Sequence, residues 1–179
     1  MNAALPWIVA AAAATVVLLA ILLIRGFFLG YPPRSVPTGK LTRKEQAVIA
    51  ACADAYFPAG GPIPISGTEA GLVAYMESYM DRLPSTTRFL SRALLLIVEH
   101  GPLFFGPRFA RFTRLSPEER IASLKGMGES SIYFRRICFT SMRAMLTMGY
   151  LANPTVCRQM GMTFDPKPFG RHSSQGAFA

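Results

Sequence analysis

Apolar positions follow two regimes along this chain. Residues 5–24 carry no charge, and Arg25 follows at once. Beyond residue 40 the apolar residues recur every third or fourth position, broken by proline and glycine. The first regime predicts a transmembrane helix, because ~20 residues at a 1.5 Å rise make ~30 Å, the thickness of a bilayer's hydrocarbon core. Trp7 and Tyr31 suit the two aromatic interfaces. A cleaved signal peptide needs a basic leader, a shorter core and a small-x-small site. Here no basic side chain precedes the run, and GFFLG at residues 26–30 offers no such site. Residues 1–29 are therefore expected to be an uncleaved anchor.

The second regime predicts helices. Residues 30–40 hold three prolines and read as an extended linker. Thr42 and Glu45 have the spacing of a capping box, and Val48, Cys52, Ala55 and Tyr56 follow at helical spacing until Pro58. Thr68 is expected to cap the next helix, with Leu72, Val73, Met76, Met80 and Leu83 inward and Pro84 as its stop. A third helix begins at Ser85, buries Leu90, Leu94, Ile97 and Val98, and closes at His100-Gly101-Pro102. Residues 103–115, dense in phenylalanine and arginine, predict a short helix.

Ser116-Pro117-Glu118-Glu119 is a second capping box with proline at the first helical position. Ile121, Leu124 and Met127 continue that helix. A long helix over residues 130–149 puts Phe134, Cys138, Ser141 and Met145 on one stripe. Arg136, Thr140, Arg143 and Thr147 form a polar stripe opposite. Asn153-Pro154 is expected to end regular structure. No alternating pattern is long enough for a strand. The predicted fold class is all-α: one N-terminal transmembrane helix, a linker, a helical domain over residues 41–165, and a poorly ordered tail over 166–179.

Charge adds an orientation. Arg25, Arg34, Lys40, Arg43 and Lys44 follow the apolar run and no Lys or Arg precedes it. The positive-inside tendency puts the domain on the cytoplasmic face, with the periplasmic face as the alternative. Three cysteines without disulfide-like spacing agree with a reducing compartment. The net charge of +9 suits anionic lipid headgroups or an acidic partner. No nucleic-acid recognition motif is present, and a tethered domain argues against that partner.

The search for chemistry is mostly negative. The two histidines are far apart, and there is no CxxCH, HExxH or CxxC pattern and no phosphate-binding glycine loop. Cys52 and Cys138 lie on apolar stripes and read as small core residues, whereas Cys157 is less constrained. His100 ends a helix, where a cation interacts well with the dipole. Asp54 is expected to pair with an arginine or to cap the loop after Pro58. No catalytic, metal-binding or cofactor-binding residues are assigned.

Three stretches carry a resemblance: LTRKEQAVIAACADAYFP at residues 41–58, GTEAGLVAYMESYM at 67–80, and FTRLSPEER at 112–120 continuing through Arg135-Arg136 and Met148-Gly149-Tyr150 to Asn153-Pro154. They resemble the gluconate 2-dehydrogenase subunit 3 family, the small accessory subunits of membrane-associated flavin dehydrogenases. The resemblance implies a non-catalytic helical subunit. Its partner would be a larger flavoprotein of the glucose-methanol-choline type that holds FAD, and this chain would hold no cofactor. Family members often carry an export signal, whereas this chain keeps an anchor. An anchored complex suits a lipid-like alcohol or sterol as well as a sugar acid. The docking residues expected are the stripe Arg136, Thr140, Arg143 and Thr147 and the aromatic-basic group Arg108, Phe109, Arg111 and Phe112. At least two of Phe104, Phe105, Phe109 and Phe112 are expected in the core instead. The alternative is a stand-alone membrane-surface protein that binds anionic lipid through Arg108, Arg111, Arg114 and Arg120, or scaffolds a membrane complex.

Overall fold

The computed structural model describes residues 5–37, 39–106 and 108–162. Among them every regular element is helical and there is no strand. The elements are α1 (Leu5–Phe28), α2 (Arg43–Tyr56), α3 (Leu72–Arg82), α4 (Ser85–His100), α5 (Pro102–Phe105), a 3-10 turn (Phe112–Arg114), α6 (Pro117–Gly128), α7 (Tyr133–Leu151) and α8 (Pro154–Gln159). The tail over residues 166–179 lies outside the described residues.

Helix α2 is the centre. It packs against α3, α4, α6 and the 3-10 turn, while α7 closes the bundle against α3, α4 and α6. Seven of its residues are buried, from Gln46 through Ala53 with only Ala50 left out. Three of those are alanines, small enough for neighbouring helices to approach from several sides. Val48, Ile49 and Cys52 meet Leu72, Met76, Val98, Phe112, Met142 and Leu146 in one apolar core. At ~25 cal/mol per Å² of apolar surface removed from water, this burial is the main stabilising contribution.

Both predicted capping boxes form. Thr42 accepts from the Glu45 N–H while the Glu45 carboxylate accepts from the Thr42 N–H, and Ser116 and Glu119 do the same. Thr68 does not cap α3. Ser66 and Glu69 exchange bonds one turn earlier, and Gly71, at φ +80°, reverses the chain immediately before Leu72. Thr68 instead donates its N–H to Asp54, which fixes the loop after α2 as one of the two expectations for Asp54 proposed. Residues 103–115 do not make one helix: Gly106 ends α5, and the 3-10 turn forms only at Phe112. Asn153 does not end regular structure. Its side chain accepts from the Thr155 and Val156 N–H groups and caps α8, with Pro154 at the first helical position.

The stripes of α4 and α7 are rotated from expectation. In α4 the inward residues are Ser91, Leu94, Leu95, Val98 and Glu99. Leu90 is exposed and Ile97 only half-buried. In α7 Cys138, Met142, Met145, Leu146, Gly149 and Tyr150 point inward, whereas Phe134 and Ser141 face outward. Ile121 of α6 is also exposed.

Helix α1 runs 24 residues, ~36 Å. All its described side chains are exposed. Among the described residues no helix is long and apolar enough to cross a membrane; in α1 the side chains described without interruption are those of residues 9–22.

The segment after α1 lacks regular structure, as a linker should, but it is fastened to the domain at three points. At its start, Arg111 donates to the Leu29 carbonyl at 3.0 Å and Tyr31 donates to Glu99 at 2.8 Å. In the middle, the buried Gln46 amide bonds both backbone groups of Val36. At its end, the Glu77 carboxylate accepts from the Lys40 and Leu41 N–H groups. Gly39 lies so close to that carboxylate that a Cβ there would collide with it.

Candidate docking surface

Two features stand out against an otherwise ordinary helical core. One is a buried polar centre, the other an unpartnered apolar face.

Glu99 is the single acid of α4 and falls in its inward stripe, four residues after Leu95. It is fully buried. It accepts from the Tyr31 hydroxyl at 2.8 Å, from the Thr113 N–H at 3.1 Å and from the Thr113 hydroxyl at 2.8 Å. The Arg111 guanidinium, also buried, stands 3.7 Å from it and lies over the Tyr31 ring at 4.3 Å. Burial raises the Tyr31 phenol well above its ordinary pKa, and the bond and charge of Glu99 raise it further, so Tyr31 stays a donor. Next to this centre His100 is 2.8 Å from Lys44. Burial first and the Lys44 charge second lower the His100 pKa. Both effects disfavour the cation expected to cap this helix. Burial likewise lowers the Lys44 pKa.

Among the described residues, Glu99 fastens α4 to the segment after α1 through Tyr31 and to the 3-10 turn through Thr113. Cys52 is wholly buried, and burial raises its thiol pKa far above the reactive range. Cys138 is buried as expected, and so is Cys157, whose thiol donates to the Leu151 carbonyl. Among the described residues no three His, Cys, Asp or Glu side chains gather where they could hold a metal.

The apolar face is built by the outer side of α4, by α5 and by the start of α7. Phe89, Leu90 and Leu96 are exposed on α4, Phe104 and Phe105 on α5, and Tyr133, Phe134 and Ile137 on α7. Phe104 is 79 % exposed. Between α4 and α7 runs a groove of ≈320 Å³ lined by Leu90, Leu94, Ile97, Phe134, Ile137 and Met145. It continues past Ile97 and Phe134 into a pocket of ≈450 Å³ among α4, α5, α6 and α7. A contiguous exposed apolar face is a candidate interaction site.

The residues expected to dock a partner divide. Arg111 and Phe112 are buried, at 2 % and 0 % exposure, and belong to the polar centre and the core. They present nothing to a partner. Arg108 and Phe109 are exposed in the loop after α5. Along α7, Arg136, Thr140 and Arg143 are exposed and Thr147 is half-buried, so that stripe is on the surface. Arg136 is partly engaged, donating to the Ser130 carbonyl at 2.7 Å and standing over the Tyr133 ring at 5.5 Å. Of the four phenylalanines, only Phe112 is in the core, fewer than expected. Of the alternative's lipid-binding arginines, Arg114 is exposed like Arg108, whereas Arg120 donates to the Thr113 carbonyl.

Sequence reasoning missed the α4 face because it placed Leu90, Ile97 and Phe134 inside. The available signal was the run ALLLIV at residues 93–98, which wraps apolar groups around a whole helix. A helix apolar all round, in a domain this small, leaves one side uncovered. No protein-family model, curated protein or solved structure matches this chain.

Proposed function

We propose that this protein is a non-catalytic, single-pass membrane subunit whose helical domain docks a larger flavin-dependent dehydrogenase. The observation that carries the reading is the apolar face of α4, α5 and α7, which the domain itself leaves uncovered. The exposed arginines 136 and 143 lie on the other side of α7 and are not part of that face. Counted over the full sequence of α1 rather than over the described side chains, residues 5–28 carry one charge, Arg25, in the last turn. That composition and its ~36 Å length support an anchor. The family resemblance in the three segments of residues 41–58, 67–80 and 112–154 suggests the flavoprotein partner, with FAD held there. The basic residues after α1 favour the cytoplasmic face.

The test is retrieval of the full chain from its native membrane in mild detergent, with flavin absorbance read in the eluate. The expected result is a stoichiometric flavoprotein that Leu90→Asp combined with Phe134→Asp abolishes, both changes being at exposed positions. If wild type brings down no flavoprotein, the subunit reading fails. A second reading, a membrane-surface protein that binds anionic lipid without a partner, draws on the exposed Arg108 and Arg114. It predicts vesicle binding and an eluate without flavin.

A further inference from the structure

A pocket of ≈450 Å³ lies at the C-terminal end of α4. Leu96, Phe104, Phe105, Ile132 and Phe134 form its walls, and the buried Met127 and Ser123 close its floor. Its ionisable lining groups are His100 and Arg135 alone, with no acid among them. Arg135 stands over the Phe105 ring at 4.3 Å and donates to the Ser130 hydroxyl, which holds its guanidinium beside the wall. The volume falls within the ~300–1,000 Å³ typical of small-ligand sites.

Its position decides the occupant. The pocket is lined by His100 and Gly101, and the preceding residue, Glu99, holds Tyr31. Tyr31 lies three residues beyond Phe28, the end of α1. One end of the pocket, at His100, borders the polar centre that holds Tyr31, because the Glu99 and Arg111 charges both act on His100. Arg111, in the same centre, grips the Leu29 carbonyl. Arg25, Arg34, Arg108 and Arg114 are exposed on the same stretch of chain or on the loop that follows α5. If α1 lies in a bilayer, the strap at Leu29 and Tyr31 keeps the domain, and this pocket with it, next to the headgroup layer of the adjoining leaflet.

We propose that this pocket takes one acyl chain of an anionic phospholipid from that leaflet, with Arg135 at its mouth pairing with the lipid phosphate. The inference rests on the anchor reading of α1. The apolar walls match a hydrocarbon chain, and the lining cation matches a negatively charged headgroup. The strap at Leu29 and Tyr31 keeps the domain within a few residues of the membrane surface, so the lipid has a short path to the pocket. The lipid fills space next to the α4 face and leaves the groove lined by Leu90 and Ile137 open to a protein partner.

The experiment uses the full chain in vesicles of phosphatidylcholine with phosphatidylglycerol, the latter carrying a photoactivatable group at the end of one acyl chain. Adducts are mapped by mass spectrometry. The expected result is labelling of α1 together with Phe104, Phe105 or Ile132, competed by unlabelled phosphatidylglycerol. Arg135→Glu should lower the pocket adducts about fivefold or more, as loss of one basic contact at an anionic surface implies, without lowering those on α1. Labelling of α1 alone overturns the pocket proposal and leaves the anchor reading standing. A chain that stays outside the vesicles, with no label anywhere, overturns the anchor reading. Equal labelling from phosphatidylcholine and phosphatidylglycerol removes the headgroup contact and overturns the assignment of Arg135. A photoreactive residue at position 104 that yields covalent dimers rather than lipid adducts assigns the pocket to a second copy.

Discussion

Replacing Arg111 with methionine separates an ion pair from a simple knot of hydrogen bonds. Arg111 and Glu99 are both buried, and the guanidinium stands 3.7 Å from the carboxylate. Removing one partner of such a pair typically costs ~3–5 kcal/mol, because a charge is left without compensation in the interior. Glu99 keeps three donors, from Tyr31 and from the backbone and hydroxyl of Thr113, and these place the expected cost at the low end. The variant also loses the bond to the Leu29 carbonyl, worth ~1 kcal/mol, and the contact with the Tyr31 ring, worth ~0.5–1 kcal/mol. A total of ~4.5–5 kcal/mol follows, about a third or more of the ~5–15 kcal/mol that stabilises a typical domain. The double variant Glu99→Gln with Arg111→Met leaves no charge behind and should be less destabilised than Arg111→Met alone. Urea unfolding of the full chain in detergent, followed by far-ultraviolet circular dichroism, measures both. Fluorescence would follow the wrong element, because the one tryptophan, Trp7, lies in α1. If Arg111→Met costs under ~1 kcal/mol, or the two changes simply add, the pair is not the keystone described.

Gly149→Ala should destabilise by ~1–2 kcal/mol, because a Cβ there would press into the Tyr75 ring and the Leu72 side chain where α7 crosses α3, and overpacking outweighs the gain in helix propensity. Gly126→Ala is the control: a Cβ there meets nothing within 4 Å, so thermal unfolding should shift upward by the ~0.5–1 kcal/mol of propensity alone. For His100 the folded pKa lies below the ordinary 6.5, so the unfolded chain binds the extra proton first. Its contribution is fully present above pH 6.5 and lost as pH falls below it. Wild type should therefore lose urea stability between pH 6.5 and 5 more steeply than His100→Gln; identical slopes would refute the lowered His100 pKa.

What the sequence made legible was local. Thr42 with Glu45, and Ser116 with Pro117 and Glu119, fix helix starts within four residues, and both boxes form as read. The inward face of α4 was not legible, because Phe89, Leu90, Leu94, Leu95, Leu96 and Ile97 compete for it on equal hydrophobic terms. Only the packing of α2 and α7 against it selects Leu94 and Leu95. The polar centre was invisible for another reason. Tyr31, Glu99 and Arg111 are separated by 68 and by 12 positions, and no local rule links them. A lone acid in the stripe of Leu95 and Val98 was the available hint. Of the residues expected to dock a partner, Arg136, Thr140 and Arg143 are exposed, as helical spacing predicts for a polar stripe, whereas Arg111 and Phe112 are drawn inward by Glu99 and the core.

The strap changes what kind of tether this is. A free linker of ~10 residues would let the domain wander with an end-to-end distance of ~18 Å and tumble in every direction. With Tyr31 held by Glu99 and Leu29 by Arg111, only ~3 residues, at most ~10 Å of chain, separate α1 from the domain. In a bilayer that makes the helix a handle rather than a leash. Tilting α1 would swing the whole bundle, and a partner gliding on the same membrane would meet the α4 face in one orientation, so its search would be two-dimensional and already aimed.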